Sequence, residues 1–308
     1  MIEVQDLVKK YGDFPAVKKL SFEVPQGKIW GLLGPNAAGK TTTMRILTGF
    51  LPATDGAARV AGIDVFERPD AAKRILGYLP ENVPLYPEMT VASYLGFVAA
   101  IKQVPKAKKK EAVVRAVRSA GLETVRGRLI KNISRGFKQR VGIAQALIHD
   151  PQILILDEPT IGLDPAQIIE IRELIRSLRG ERTIILSTHL LAEVTQVCDG
   201  VTIINEGRLM ASGTLDELTA SARSTDGVVL KLRKSGPEST AALRAIPGVD
   251  TAAIRDSEIE VAWSRGRDLR EAVARTVVEK DLGLLEMKSL GMNIEDLYLK
   301  IVSGGLES

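Results

Sequence analysis

Apolar positions along the chain fall into two kinds of run. Residues 29–33, 153–156 and 183–187 are nearly unbroken apolar stretches of strand length, the pattern of strands buried on both faces of a parallel sheet. Residues 2–8 and 20–24 alternate apolar with polar positions, which predicts two half-buried strands, with a turn at Tyr11-Gly12 between them. Helical spacing predicts helices over 42–50, 71–75, 111–120, 135–149, 166–178 and 190–198. Residues 58–61 and 63–65 flank Gly62 as a short hairpin, 75–79 reads as a strand ended by Pro80, and 201–205 with 208–211 reads as a hairpin across Glu206-Gly207. Strands alternating with helices predict an α/β core. Residues 82–148 interrupt it with a mostly helical insertion, broken at Pro84, Pro87 and Pro105.

The pattern changes after residue 221. Residues 224–227 are small and polar and read as a linker. Beyond them the chain predicts strand 228–232, helix 238–245, strands 249–255 and 258–263, helix 267–279 and strand 284–290. This βαββαβ order is the ferredoxin-like arrangement of a small α+β domain. Asn293-Ile294-Glu295-Asp296 then opens a short closing helix. Two domains are expected, 1–221 and 222–308.

The strand at 29–33 runs into Gly34-Pro35-Asn36-Ala37-Ala38-Gly39-Lys40-Thr41, followed by Thr42 and the next helix. Strand, glycine-rich turn and helix is the context in which G-x-x-x-x-G-K-[ST] binds phosphate. Successive backbone N–H groups make an anion-binding nest, and the helix adds its unpaired N–H groups and positive dipole end. Lys40 adds a full charge for the terminal phosphates, and the Thr41 hydroxyl is a hard oxygen ligand suited to Mg²⁺. The strand at 153–156 ends in Asp157-Glu158. Beside such a loop, Asp157 is placed to serve Mg²⁺ and Glu158 to polarise an attacking water; without the loop the pair would read as solvated acids closing a strand. Ser134 is a good N-cap for the helix after it. His149 reads as a helix C-terminal residue that favours the dipole.

Composition narrows the class. Apolar residues make up 45% of 308, enough for a real core, but aromatics are only 4%, so that core must be aliphatic. A single cysteine, Cys198, excludes an intramolecular disulfide, and with two histidines it cannot build a His/Cys metal site. The formal charge of +4 is mild. The densest basic run, Lys106-Ala107-Lys108-Lys109-Lys110, reads as a solvated helix start; no aromatics interleave with it, so no nucleic-acid partner is expected. The first ten residues lack an apolar signal segment, and no run approaches the roughly 20 apolar residues of a membrane span. A cytoplasmic chain is expected, peripheral on the membrane and reaching it only through a partner.

Ile133-Ser134-Arg135-Gly136-Phe137-Lys138-Gln139-Arg140 resembles the signature motif of the ATP-binding-cassette (ABC) ATPases, usually LSGGQ followed by basic residues. Ser134 and Gly136 match; Arg135 and Phe137 depart from it. Gly162-Leu163-Asp164 resembles the family's D-loop, His189 in Ser187-Thr188-His189 its switch histidine, and Gly77-Tyr78-Leu79-Pro80-Glu81 its Q-loop with Glu81 in place of Gln. Tyr11 stands where the family stacks an aromatic on adenine. Ala37 stands where it most often has Gly, which raises the question of whether this position takes a positive φ. The resemblance spans residues 1–221 and implies a P-loop NTPase domain of ABC type with a helical subdomain. It implies ATP and Mg²⁺ as cofactors, Thr41, Glu81 and Asp157 as metal ligands, and Glu158 and His189 as catalytic residues. Ser134 and Gly136 are then expected to cap the ATP held by a second copy of the chain, with Arg135 close to that phosphate. The partners implied are that second copy and a separate integral membrane permease of the export type, docked on residues 81–101. A soluble ABC ATPase acting on ribosomes or DNA is the alternative, although this chain has one cassette and no coiled-coil insertion.

Overall fold

The structure, a computed structural model, describes residues 1–221, 226–255, 257–264, 266–290, 294–295 and 298–299. The chain divides into two compact units, Met1–Leu215 and Asp216–Ser308.

The first unit opens with β1 (Ile2–Tyr11) and β2 (Phe14–Val24), an antiparallel pair across the expected turn. β2 starts six residues before the alternation that predicts it. Pro15 counts against a strand, but β2 is the edge of its sheet, where a missing N–H breaks no ladder. β3 (Ile29–Leu33) is buried throughout and leads through the glycine-rich loop into α1 (Lys40–Leu47). That helix starts and stops earlier than its apolar spacing predicts. Gly39, with φ 100°, turns the chain directly into it, and Gly49, with φ 65°, reverses the chain just beyond its end. β4 (Asp55–Val60) and β5 (Ile63–Asp64) join β1 and β2 in a sheet of order β2-β1-β4-β5.

Next come α2 (Pro69–Ile75) and β6 (Leu76–Leu79), then the helical insertion of α3 (Val91–Ile101), α4 (Lys109–Ser119) and α5 (Arg135–Leu147). β7 (Ile153–Asp157), α6 (Pro165–Ser177), β8 (Thr183–Thr188), α7 (Leu191–Val197), β9 (Gly200–Asn205) and β10 (Arg208–Thr214) complete a six-stranded sheet of order β10-β9-β3-β8-β7-β6. All its pairings are parallel except β9 with β10. One aliphatic core joins the two sheets, with Ile2, Leu7, Leu20 and Val60 from the antiparallel layer meeting Leu32, Met44, Ile155 and Ile185. Among the described residues no helix is long and apolar enough to cross a membrane.

α8 (Leu215–Ser221) follows, and from Asp216 on it belongs to the second unit, so the division falls six residues before the expected one at 221. The second unit carries β11 (Asp226–Leu232), α9 (Pro237–Arg244), β12 (Val249–Arg255), β13 (Glu258–Trp263), α10 (Arg270–Glu279) and β14 (Leu284–Ser289). Its sheet order is β12-β13-β11-β14, wholly antiparallel, the pairing of a split βαβ fold. Val228, Leu230, Ile259, Val261 and Trp263 pack with Leu243, Val273 and Val277 of the two helices. Of the expected linker, residues 226–227 belong to β11 and 224–225 lie outside the described residues; the expected closing helix falls largely outside them.

Candidate functional site

Chain pairing brings together three segments distant in sequence. β8 lies between β3 and β7, with Leu33 level with Thr188 and Asp157 level with Ser187. The glycine-rich loop, Asp157-Glu158 and His189 therefore converge at the carboxyl ends of three adjacent parallel strands, where open α/β sheets bind ligands.

The loop is held tightly. A Cβ on Gly34 would overlap the Ile204 carbonyl, and one on Gly39 would sit 2.7 Å from the Ala16 carbonyl oxygen. Pro35 and Ala38 close the turn, with Ala38 N–H donating to the Pro35 carbonyl at 3.3 Å. Ala37 does take a positive φ, 65°. For a residue with a Cβ that geometry costs about 1–2 kcal/mol. Ala37→Gly is therefore expected to stabilise the unit by about 0.5–1 kcal/mol after the entropy of the unfolded chain is counted. A calorimetric midpoint about 2 °C higher, with ATP binding retained, is the expected reading.

Lys40 is 6% exposed. Its Nζ donates to the carbonyls of Gly34 at 2.7 Å and Pro35 at 3.0 Å and lies 3.6 Å from Glu158 Oε1. Burial lowers its pKa, while Glu158, Asp157 and Glu81 pull it back up. Asp157, 1% exposed, accepts from Ser187 Oγ at 2.6 Å and from Thr41 Oγ1 at 3.4 Å through the same oxygen, Oδ1. Its Oδ2 is buried with no hydrogen-bond partner among the described residues. Burial raises this carboxyl, the Ser187 bond opposes the rise, and the Glu81 charge adds to it. A buried, unpaired carboxylate oxygen beside a threonine hydroxyl suits a hard divalent cation.

Glu158 is 7% exposed and left-handed, with φ 47°. Its backbone N–H donates to Ser187 Oγ at 2.9 Å, and its Oε2 is 3.0 Å from His189 Nδ1. Burial raises its pKa, against the lowering effects of His189 and Lys40. A carboxylate in that position, poised between a cation and an imidazole, has the character of a general base.

Tyr11, Asn36, Ala37, Gly39, Lys40, Thr41, Thr42, Glu81, Glu158 and His189 line one cleft of about 620 Å³. Sequence reasoning missed two contributors. Phe14, 65% exposed, lines the cleft with Tyr11 and widens the aromatic surface, hidden because residues 14–19 do not alternate. Ser187 binds both Asp157 and Glu158; its one signal was a serine inside a buried apolar strand.

Ser134 and Gly136 do not line this cleft. Ser134 caps α5, its Oγ accepting from Phe137 N–H at 3.3 Å. Arg135 turns onto its own chain: Nη2 donates to the Ile161 carbonyl at 3.2 Å, and the guanidinium covers Gly162. The Asp164 side chain caps α6. His149 is not a helix-end cation. Burial drives its pKa down to about 4, and its Nε2 lies 3.1 Å from the Leu76 carbonyl oxygen, so at neutral pH it is an uncharged donor.

Residues 17–161 match the ABC transporter family. The bacitracin transport ATP-binding protein BcrA of Bacillus licheniformis is 35% identical over 309 residues, covering 99% of this chain and 98% of that protein. The daunorubicin/doxorubicin resistance ATP-binding protein DrrA of Streptomyces peucetius is 32% identical, covering 97% of this chain and 92% of that one. A solved structure of an ATP binding subunit of an ABC transporter superposes with TM-score 0.65 at 32% identity, over 72% of this chain and 92% of its own.

Proposed function

The chain belongs to the ABC transporter family of ATP-binding proteins, and from that premise we propose that it powers a separate membrane permease by binding ATP between two copies of itself. It is an ATP-binding and ATP-hydrolysing subunit of an exporter. Relatives named for bacitracin transport and daunorubicin resistance support the direction of transport. The observation that carries the reading is the Glu158 carboxylate, fixed between Lys40 and His189 beside the phosphate loop.

In this reading the triphosphate lies along the amides of residues 34–42, with Lys40 on its terminal phosphates and Tyr11 and Phe14 against the base. Thr41, Asp157 and Glu81 would hold Mg²⁺, whose charge would offset that of the phosphates. Asp157 Oδ2, without a hydrogen-bond partner among the described residues, supports that assignment. Glu158 takes a proton from the attacking water, and His189 holds Glu158 through Nδ1 and reaches the γ-phosphate side of the cleft. Ser134 and Gly136, off their own chain's cleft, serve the ATP of the second copy with the N-terminus of α5.

The permease docks on the insertion. Tyr86, Phe97 and Ile101 are exposed there, and the rings of Tyr86 and Phe97 lie 5.5 Å apart. Exposed apolar side chains grouped in this way mark interaction surfaces. Tagged full-length chain, purified from detergent-solubilised membranes, is expected to bring down a multi-spanning membrane protein. Sedimentation with ribosomes and no membrane partner would contradict the proposal.

A further inference from the structure

Beside the hydrolytic site lies a buried polar joint that the reading above does not use. Glu193, the third residue of α7, is 2% exposed. Its Oε1 accepts from Thr160 Oγ1 and lies 3.9 Å from Nη2 of Arg172 on α6. Its Oε2 and the Nε of Arg172 are buried without hydrogen-bond partners among the described residues. Arg172 also donates through Nη1 to Gln196 Oε1, further along α7, at 2.6 Å.

The positions of these residues along the chain give the joint its meaning. Thr160 stands two residues after Glu158, in the turn closed by Ile161 N–H on the Glu158 carbonyl at 3.2 Å. Glu193 stands four residues after His189, in the helix that His189 introduces. Arg172 belongs to the helix that follows Gly162-Leu163-Asp164. One carboxylate therefore fastens together the turn after the base, the helix after the histidine and the helix after the Asp164 cap. A buried ionised group costs several kcal/mol of desolvation, and apolar residues would pack such a joint as well or better. A carboxylate kept there with one oxygen unpaired points to a demand other than stability.

We propose that Glu193 is a positioning residue for ATP hydrolysis: held by Thr160 and facing Arg172, it fixes α7, and with it His189, against the turn that carries Glu158. The proposal rests on Glu158 acting as the base. The Nδ1–Oε2 distance of 3.0 Å between His189 and Glu158 depends on how the ends of β7 and β8 are held. Ser187 sets them from the strand side and Glu193 from the helix side.

The test compares Glu193→Gln, Thr160→Val and Thr160→Ser in the full chain, with kcat and KM for MgATP measured for each. Glu193→Gln is expected to lower kcat about tenfold with KM within about twofold of wild type. Thr160→Val is expected to lower kcat in the same way, and Thr160→Ser, which keeps the hydroxyl, to restore it. A kcat unchanged in Glu193→Gln would overturn the proposal, as would a rise in KM equal to the fall in kcat. If Glu193→Gln does not fold, Thr160→Val and Thr160→Ser decide, and equal, wild-type rates in both would overturn it. Turnover that survives Glu158→Gln would instead remove the assignment of the base, independently of Glu193.

Discussion

Glu158→Gln binds MgATP at least as tightly as the wild type and hydrolyses it about 100-fold more slowly or worse. The amide has the size of the carboxylate and can still pair with His189 Nδ1, now 3.0 Å from Oε2. It cannot accept the proton of the attacking water. Binding does not suffer, because the carboxylate lies 3.6 Å from Lys40 Nζ and competes with phosphate for that cation. Phosphate release and equilibrium nucleotide binding, measured on the same preparation, separate the two effects. Hydrolysis at the wild-type rate would remove Glu158 as the base.

Lys40→Ala loses nucleotide. Among the described residues, the ammonium is the only basic group lining the cleft apart from His189. It also pins the loop by donating to the Gly34 and Pro35 carbonyls. Without it the triphosphate meets the carboxylates of Glu158, Asp157 and Glu81 with no lysine among the described cleft residues to offset them. Losing one partner of a buried, hydrogen-bonded charge pair costs about 2–5 kcal/mol, so affinity for ATP should fall by about 30-fold or more. A fluorescent ATP analogue reads that loss, and far-UV circular dichroism shows whether the fold survives. Tight binding by a folded Lys40→Ala chain would argue against the phosphate-loop assignment.

What could be read along the chain was what neighbouring residues encode together. The step from β3 through Gly34 and Lys40 into α1 is a contiguous run, and its chemistry follows from its order. The same holds for Asp157-Glu158 at the end of a buried strand, and for the βαββαβ order of the second unit, where alternation and helical spacing change cleanly. What escaped depended on distant partners. Nothing near Pro15 tells that β2 lies at a sheet edge, which is what makes the proline harmless and brings Phe14 to the cleft. The role of Ser187 exists only because β8 is set beside β7. His149 looks like a helix-end cation until the Leu76 carbonyl and its burial are known. Arg135, read as aimed at a second copy, finds the Ile161 carbonyl, which only the fold brings within reach. Glu193 carries no signal of its own, since its meaning lies in Thr160 and Arg172.

In the proposed mechanism a triphosphate is gripped by Lys40 and the loop amides of one copy and covered by the α5 N-terminus of another. A crystal structure of Glu158→Gln with MgATP tests it most directly. The expected result is a two-fold dimer in which Ser134 Oγ of each copy lies about 3 Å from a γ-phosphate oxygen held by the other. Ser134 remote from every γ-phosphate, in a chain that also stays monomeric with MgATP on size exclusion, would contradict it.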